Sequence, residues 1–145
     1  MLNFSDINPS PSNNSVAEND VEFKISGNLM SLINATDFDN MEIPSSSVAT
    51  FLSLFYNSNL TDASELILPS QTLTVVCYGR MFQECIKLVN APTLPATTLA
   101  ESCYTDMFAG CVSLVSAPVL PATTFNEQCE GCYENMFNFC EKLAN

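Results

Sequence analysis

The chain has no histidine and no tryptophan among its 145 residues, and only four basic side chains, Lys24, Arg80, Lys87 and Lys142. Without histidine, both the commonest general base and the commonest zinc ligand are missing. The four cations are scattered, while sixteen Asp and Glu bring the net charge to -12. A phosphate backbone or an anionic membrane therefore meets no cationic cluster, and nucleic acid is not expected as a partner. Long apolar runs are absent as well: none approaches the roughly 20 residues that cross a bilayer, so no membrane span is expected. The start, Met1-Leu2-Asn3-Phe4-Ser5-Asp6, has neither the basic residues nor the apolar stretch of a signal peptide.

What is present is repetition. Leu94-Pro95-Ala96-Thr97-Thr98-Leu99 returns 26 residues later as Leu120-Pro121-Ala122-Thr123-Thr124-Phe125, with a weaker copy at Leu68-Pro69-Ser70-Gln71-Thr72-Leu73. Each copy is followed by the same second half, Cys77-Tyr78…Met81-Phe82…Cys85…Leu88, then its equivalents from Cys103 and from Cys132. A period in the twenties indicates units that cannot bury their apolar face alone and must stack. The domain expectation is an extended or mobile polar arm at 1–20, an N-terminal cap and degenerate repeat at 21–67, and three units at 68–93, 94–119 and 120–145. The last unit stops before the Pro steps that close the others, which suggests an array continuing beyond 145.

Within a unit, Thr98-Leu99-Ala100-Glu101 reads as a capping box, and Leu99, Cys103 and Met107 as the apolar stripe of a short helix ending at Gly110. Ser113-Leu114-Val115-Ser116-Ala117 reads as a short strand closed by Pro118 and Pro121. In the cap, Val21-Glu22-Phe23-Lys24-Ile25 alternates like a strand and Ser26-Gly27-Asn28 breaks it. Leu54-Phe55 stands in the Met-Phe place, and Ser58 loosely takes the first cysteine position. The third unit carries three extra residues. Read as nearly one helical turn, they keep a stripe of Phe125, Cys129, Cys132 and Met136 and a second capping box at Thr124 and Glu127.

Six of the seven cysteines occupy two fixed repeat positions, which reads first as core filling by reduced thiols. Disulfides between stacked Cys77, Cys103 and Cys132, and metal ligation or redox chemistry at Cys129-Glu130-Gly131-Cys132, are the alternatives. Asp37-Phe38-Asp39-Asn40 with Glu42 lacks the calcium-loop pattern and reads as a solvated acidic loop. No nucleophile elbow occurs, so no enzyme activity, metal or cofactor is expected. Tyr78, Tyr104 and Tyr133 read as packing on the Met-Phe pair of their own unit, with an exposed sugar-stacking row as the alternative.

Met81-Phe82-Gln83-Glu84-Cys85-Ile86-Lys87-Leu88 and its copies from Met107 and Met136 resemble the BspA-like leucine-rich repeats of Bacteroidetes and Treponema. The resemblance covers 43–145, and this chain's unit is about three residues longer than the usual one. It implies an α/β repeat, a right-handed leucine-rich-repeat solenoid with short parallel strands and short helices. It also implies binding or adhesion without catalysis or cofactor, on a phage virion as a tail or head fibre, or at a bacterial surface. The expected partner is a protein or glycan ligand, with virion structural proteins contacting residues 1–20. Lys87, Val89, Ser113, Val115, Lys142 and Ala144, which flank each strand leucine, form the candidate binding ridge. A purely structural virion component docked through the arm is the alternative reading, and a thiol or zinc protein the remote one.

Overall fold

The computed structural model describes residues 1–6, 21–39, 41–123 and 128–144. Three strands form one mixed sheet in the order β1 (Asn3–Asp6), β2 (Phe23–Asn28), β3 (Leu60–Ile67). β1 runs antiparallel to β2, with Phe4 opposite Ile25, and β2 runs parallel to β3, with Phe23 opposite Leu60. The first residues of the expected arm thus pair with the cap, while 7–20 lie outside the described residues. Ser26-Gly27-Asn28 does not end β2 but completes it. Gly27 has φ +95, and a Cβ there would collide with the Met1 carbonyl, so glycine lets the N-terminal backbone lie close against the strand. Asn28 then caps a four-residue 3-10 helix, Leu29–Leu32, by accepting the Met30 N–H at 2.9 Å.

That short segment is the only helix among the described residues, and it overturns the expected leucine-rich-repeat solenoid with short helices. The keywords that rested on that fold, BspA-like leucine-rich repeat and solenoid, fall with it. Where helices were expected there are runs of consecutive turns at 50–57, 75–84, 101–110 and 130–139. In the second run the N–H groups of Cys77, Gly79, Met81, Gln83 and Cys85 each bond the carbonyl three residues back. The alternate N–H groups of Val76, Tyr78, Arg80, Phe82 and Glu84 leave the run and bond Glu101, Cys103, Thr105, Met107 and Ala109 of the next at 2.8–3.0 Å. An α-helix would consume every donor internally; here half of them join one run to another.

The geometry requires a left-handed residue at every fourth place: Val76, Arg80 and Glu84 have φ of 56, 55 and 61, and Ser102 and Asp106 have 52 and 53. Gly110 takes the same slot at φ +77, where a Cβ would press on the Glu84 carboxylate at 2.7–2.9 Å. Each non-glycine residue there costs about 1–2 kcal/mol, which the bonds between runs offset. Two of every four side chains point inward and form columns. Phe51, Tyr78, Tyr104 and Tyr133 stack with ring centroids 5.7–5.9 Å apart. Phe55, Phe82, Phe108 and Phe137 stack at 5.3–5.7 Å. Met81, Met107, Cys85 and Cys111 are fully buried beside them.

The expected strand at Ser113–Ala117 is also absent. Only single contacts cross there, such as Val115 N–H to the Val89 carbonyl at 3.3 Å, because prolines at 92, 95, 118 and 121 interrupt the donor row on either side. The capping box at Thr98 and Glu101 does not form: Thr98 pairs with Thr72 in an isolated parallel bridge, and the Glu101 carbonyl accepts from Val76. The three-residue insertion lengthens no helix. Cys132 N–H bonds the Cys129 carbonyl as Cys103 N–H bonds Ala100, so the runs are in register from Cys129 onward. The extra residues are therefore accommodated ahead of Cys129. Thr124, Phe125 and Glu127 lie outside the described residues, so the second capping box and the first member of that stripe do as well.

Candidate binding surface

The six ridge residues fall into two groups. Val89, Val115 and Ala144 form a continuous backbone seam that begins at β3: Val89 N–H bonds the Thr61 carbonyl, Val115 N–H that of Val89, and Ala144 N–H that of Val115, at 2.9–3.3 Å. All three are exposed. Beside the seam, Asp62 accepts from Ser64 N–H at 2.9 Å, Ser64 Oγ at 2.7 Å and Asn90 Nδ2 at 3.2 Å, and Lys24 Nζ lies 3.6 Å away. Burial alone would raise the Asp62 carboxyl, but these hydrogen bonds and the Lys24 charge hold it below its ordinary value. Lys87 lies 3.2 Å from the Glu22 carboxylate. Ser113 is half-buried and Lys142 exposed, each two residues before a seam residue.

Most of the reactive groups are packed inside: Cys77, Cys85, Cys103, Cys111 and Cys132 are buried, Cys129 and Cys140 are half-buried, and none of the seven forms a disulfide. Burial pushes Cys77 up to about 11, and burial reinforced by the neighbouring Cys77, Cys132 and Cys129 pushes Cys103 up to about 12. In the other column, Cys85 Sγ donates to the Phe55 carbonyl at 2.9 Å, Cys111 Sγ to Phe82 and Cys140 Sγ to Phe108, both at 3.1 Å. Ser58 aligns with this second cysteine position, not the first, and its Oγ lies 3.4 Å from Cys85 Sγ. Tyr78 and Tyr104 are buried, stacked on each other between Phe51 and Tyr133, and closed to any ligand. Their ring partners lie in the neighbouring units: Tyr78 stacks on Phe51 and Tyr104, and Tyr104 on Tyr78 and Tyr133. Burial drives both phenols far above the ordinary tyrosine range, and Tyr133 up to about 12.

Among the described residues no three His, Cys, Asp or Glu side chains are grouped to hold a metal ion, and no helix is long and apolar enough to cross a membrane. Glu42, a member of the acidic loop, is engaged structurally: its carboxylate accepts the Gln71 N–H at 3.0–3.2 Å and the Thr72 N–H at 3.5 Å. Asn40 lies outside the described residues.

A surface that sequence reasoning did not single out lies on another side of the stack. A groove of about 940 Å³ runs across successive units, with Ile43, Pro44, Val48, Leu73 and Val75 as its apolar lining. Ser45, Ser46, Ser47, Thr72, Glu101 and Gln128 supply polar groups, and no Lys or Arg lines it. Ser70 fixes one wall: its hydroxyl, fully buried, accepts the Ile43 N–H at 3.0 Å. The signal in the sequence was the echo of Leu94-Pro95-Ala96-Thr97-Thr98 in Ile43-Pro44-Ser45-Ser46-Ser47, which repeats a hydroxyl-rich corner in each unit. No family model, curated protein or solved structure matches the chain.

Proposed function

We propose that the chain is a non-enzymatic recognition or attachment protein that binds a glycan or an extended protein segment. The supporting observation is the groove itself, concave, with an apolar floor and a rim of serine and threonine hydroxyls supplied by several units. Such a lining orients a ligand by hydrogen bonds and apolar contact. Five of the seven thiols and the phenols of Tyr78 and Tyr104 are folded into the stack instead. With no cation at the groove, the ligand is neutral or positively charged.

The test immobilises panels of neutral oligosaccharides and of extended peptides and measures binding by the intact chain, by Ser46→Trp with Thr72→Trp in the groove, and by Val89→Glu with Val115→Glu on the seam. All four positions are exposed, so melting temperatures should stay close to that of the parent. Binding lost in the groove variant and kept in the seam variant is the expected result. The converse pattern moves the site to the ridge, and a parent that binds neither panel overturns the reading.

A further inference from the structure

We propose that the groove takes an extended polypeptide segment carrying a lysine or arginine, laid between the corner at 44–48 and residues 72–75 as the strand that this step of the stack lacks. The inference rests on the groove being the binding site. In the step from 68–93 to 94–119 the corner is closed by backbone: Thr97 and Thr98 N–H both bond the Gln71 carbonyl at 3.1 Å, and Leu73 N–H bonds the Thr98 carbonyl at 2.9 Å. Moved back by one period of 26 residues, the same bonds would run from Gln71 and Thr72 to Ser45 and from Ser47 to Thr72. None of them forms. Gln71 and Thr72 N–H turn to the Glu42 carboxylate at 3.0–3.5 Å, and Ser47 N–H folds back on the Pro44 carbonyl at 2.8 Å. Pairing between the two units resumes at Ala49, whose N–H bonds the Val75 carbonyl at 3.0 Å.

The first corner is thereby held off the second unit, and the groove is the gap. Side chains fix its walls in place of backbone rungs. Glu42 holds Gln71 and Thr72, and the buried Ser70 hydroxyl, standing where the next unit has Ala96, holds the Ile43 N–H at 3.0 Å. The opening is therefore built into the fold and preorganised for an occupant. Half a ladder is left in it: the carbonyls of Ser45 and Thr72, the counterparts of Gln71 and Thr98, receive no hydrogen bond among the described residues. An inserted strand offers N–H groups to both sides in alternation, and such main-chain pairing supplies affinity while apolar pockets select its side chains.

The lining favours a polypeptide over a sugar and a cation over an acid. It contains no aromatic ring to stack on a sugar face, and its apolar members Ile43, Val48, Leu73 and Val75 suit aliphatic side chains. Exposed Glu101 lines the groove with no Lys or Arg beside it, on a chain of net charge -12. A basic segment meets complementary charge there, and an acidic one is repelled.

Fluorescence anisotropy tests this with dye-labelled short peptides randomised in valine, leucine, serine and threonine around a central lysine, and with neutral oligosaccharides as the competing class. Peptides selected from that set should bind the intact chain. Changing their lysine to glutamine should weaken binding about fivefold, and Glu101→Gln should abolish that difference. N-methylation of the peptide backbone should weaken binding about tenfold at the residues that face Thr72 and Ser45, and little elsewhere. These peptide changes leave the protein untouched, so the readout does not depend on how a variant folds. Lysine and glutamine peptides of equal affinity, or indifference to N-methylation at every position, would overturn the inference alone. So would oligosaccharides that bind, and are lost in Ser46→Trp with Thr72→Trp, while no peptide binds; the groove would then remain the site. Peptide binding that survives that double substitution, or a parent that binds neither class, would overturn the groove reading and the inference together.

Discussion

The second cysteine of each unit combines two properties that few side chains share. Its thiol is small and apolar enough to be buried and still donates to a phenylalanine carbonyl that also accepts a turn N–H, as Cys111 does at Phe82. Its recurrence was legible as core filling; the hydrogen bond was not, because nothing in the spacing shows that a neighbouring carbonyl stands within reach. The first column makes stability depend on pH. The folded thiols of Cys77 and Cys103 ionise at about 11 and 12, above the ordinary value of 9.0 that they regain on unfolding. Their contribution is fully present below pH 9. It declines as the pH rises toward 11 and 12, because only the unfolded chain releases those protons, at about 1.4 kcal/mol per pH unit for each thiol. Melting temperature should therefore be flat with respect to these groups below pH 9 and fall steeply above it. Replacing both residues with alanine should lower the plateau and flatten the fall, and an unchanged slope would remove these two thiols as its cause. In parallel, iodoacetamide at pH 8 should leave Cys77, Cys103 and Cys111 unlabelled in the native chain and reach all seven cysteines in urea.

At the scale of the element, the error in a helical reading lies in the period. Leu73, Cys77, Met81 and Cys85, and Leu99, Cys103, Met107 and Cys111, are spaced by four without drift. Over twelve residues a stripe of that kind walks about 120° around an α-helix and leaves its buried face. A turn repeating every four residues keeps it in place. The apolar positions were thus readable, and the conformation joining them was not, since pairs spaced by four fit both structures over one or two turns. What decides between them is the next unit, which takes up every second N–H. Ser102 gives a test with opposite signs. In a helix, serine to glycine costs about 0.5 kcal/mol. At φ 52 the Ser102→Gly change removes a Cβ from a strained slot and should raise stability by about 1 kcal/mol, read as a higher urea midpoint at unchanged slope. A lower midpoint would restore the helical reading.

For the whole molecule, long-range structure is carried less by the sheet than by columns that run from one unit to the next. The repeat made the stacking legible from the sequence, because each unit offers an apolar set too small to close on itself. The sheet was only half legible: the alternation of Val21 to Ile25 marked β2, but its pairing with Leu60–Ile67 joins segments more than thirty residues apart, which no local pattern reveals. If the unit is the true structural quantum, chain length should matter in whole units only. Removing 94–119 joins Thr93 to Leu120 and places the Cys132 run over the Cys77 run. Every column then stays continuous, Phe82 meets Phe137, and Cys140 Sγ finds the Phe82 carbonyl that Cys111 used. That variant should fold with the parent's circular-dichroism shape, a lower melting temperature and a smaller denaturant slope, since less surface is buried. Removing 94–106 instead cuts the same unit within its turn run. It leaves a fragment with no complete set of acceptor carbonyls for the alternate N–H groups of Val76 to Glu84 and interrupts the tyrosine column at Tyr104, so it should not fold cooperatively. Equal stability of the two deletions would show that the sheet and cap, and not the stacked runs, hold the molecule together.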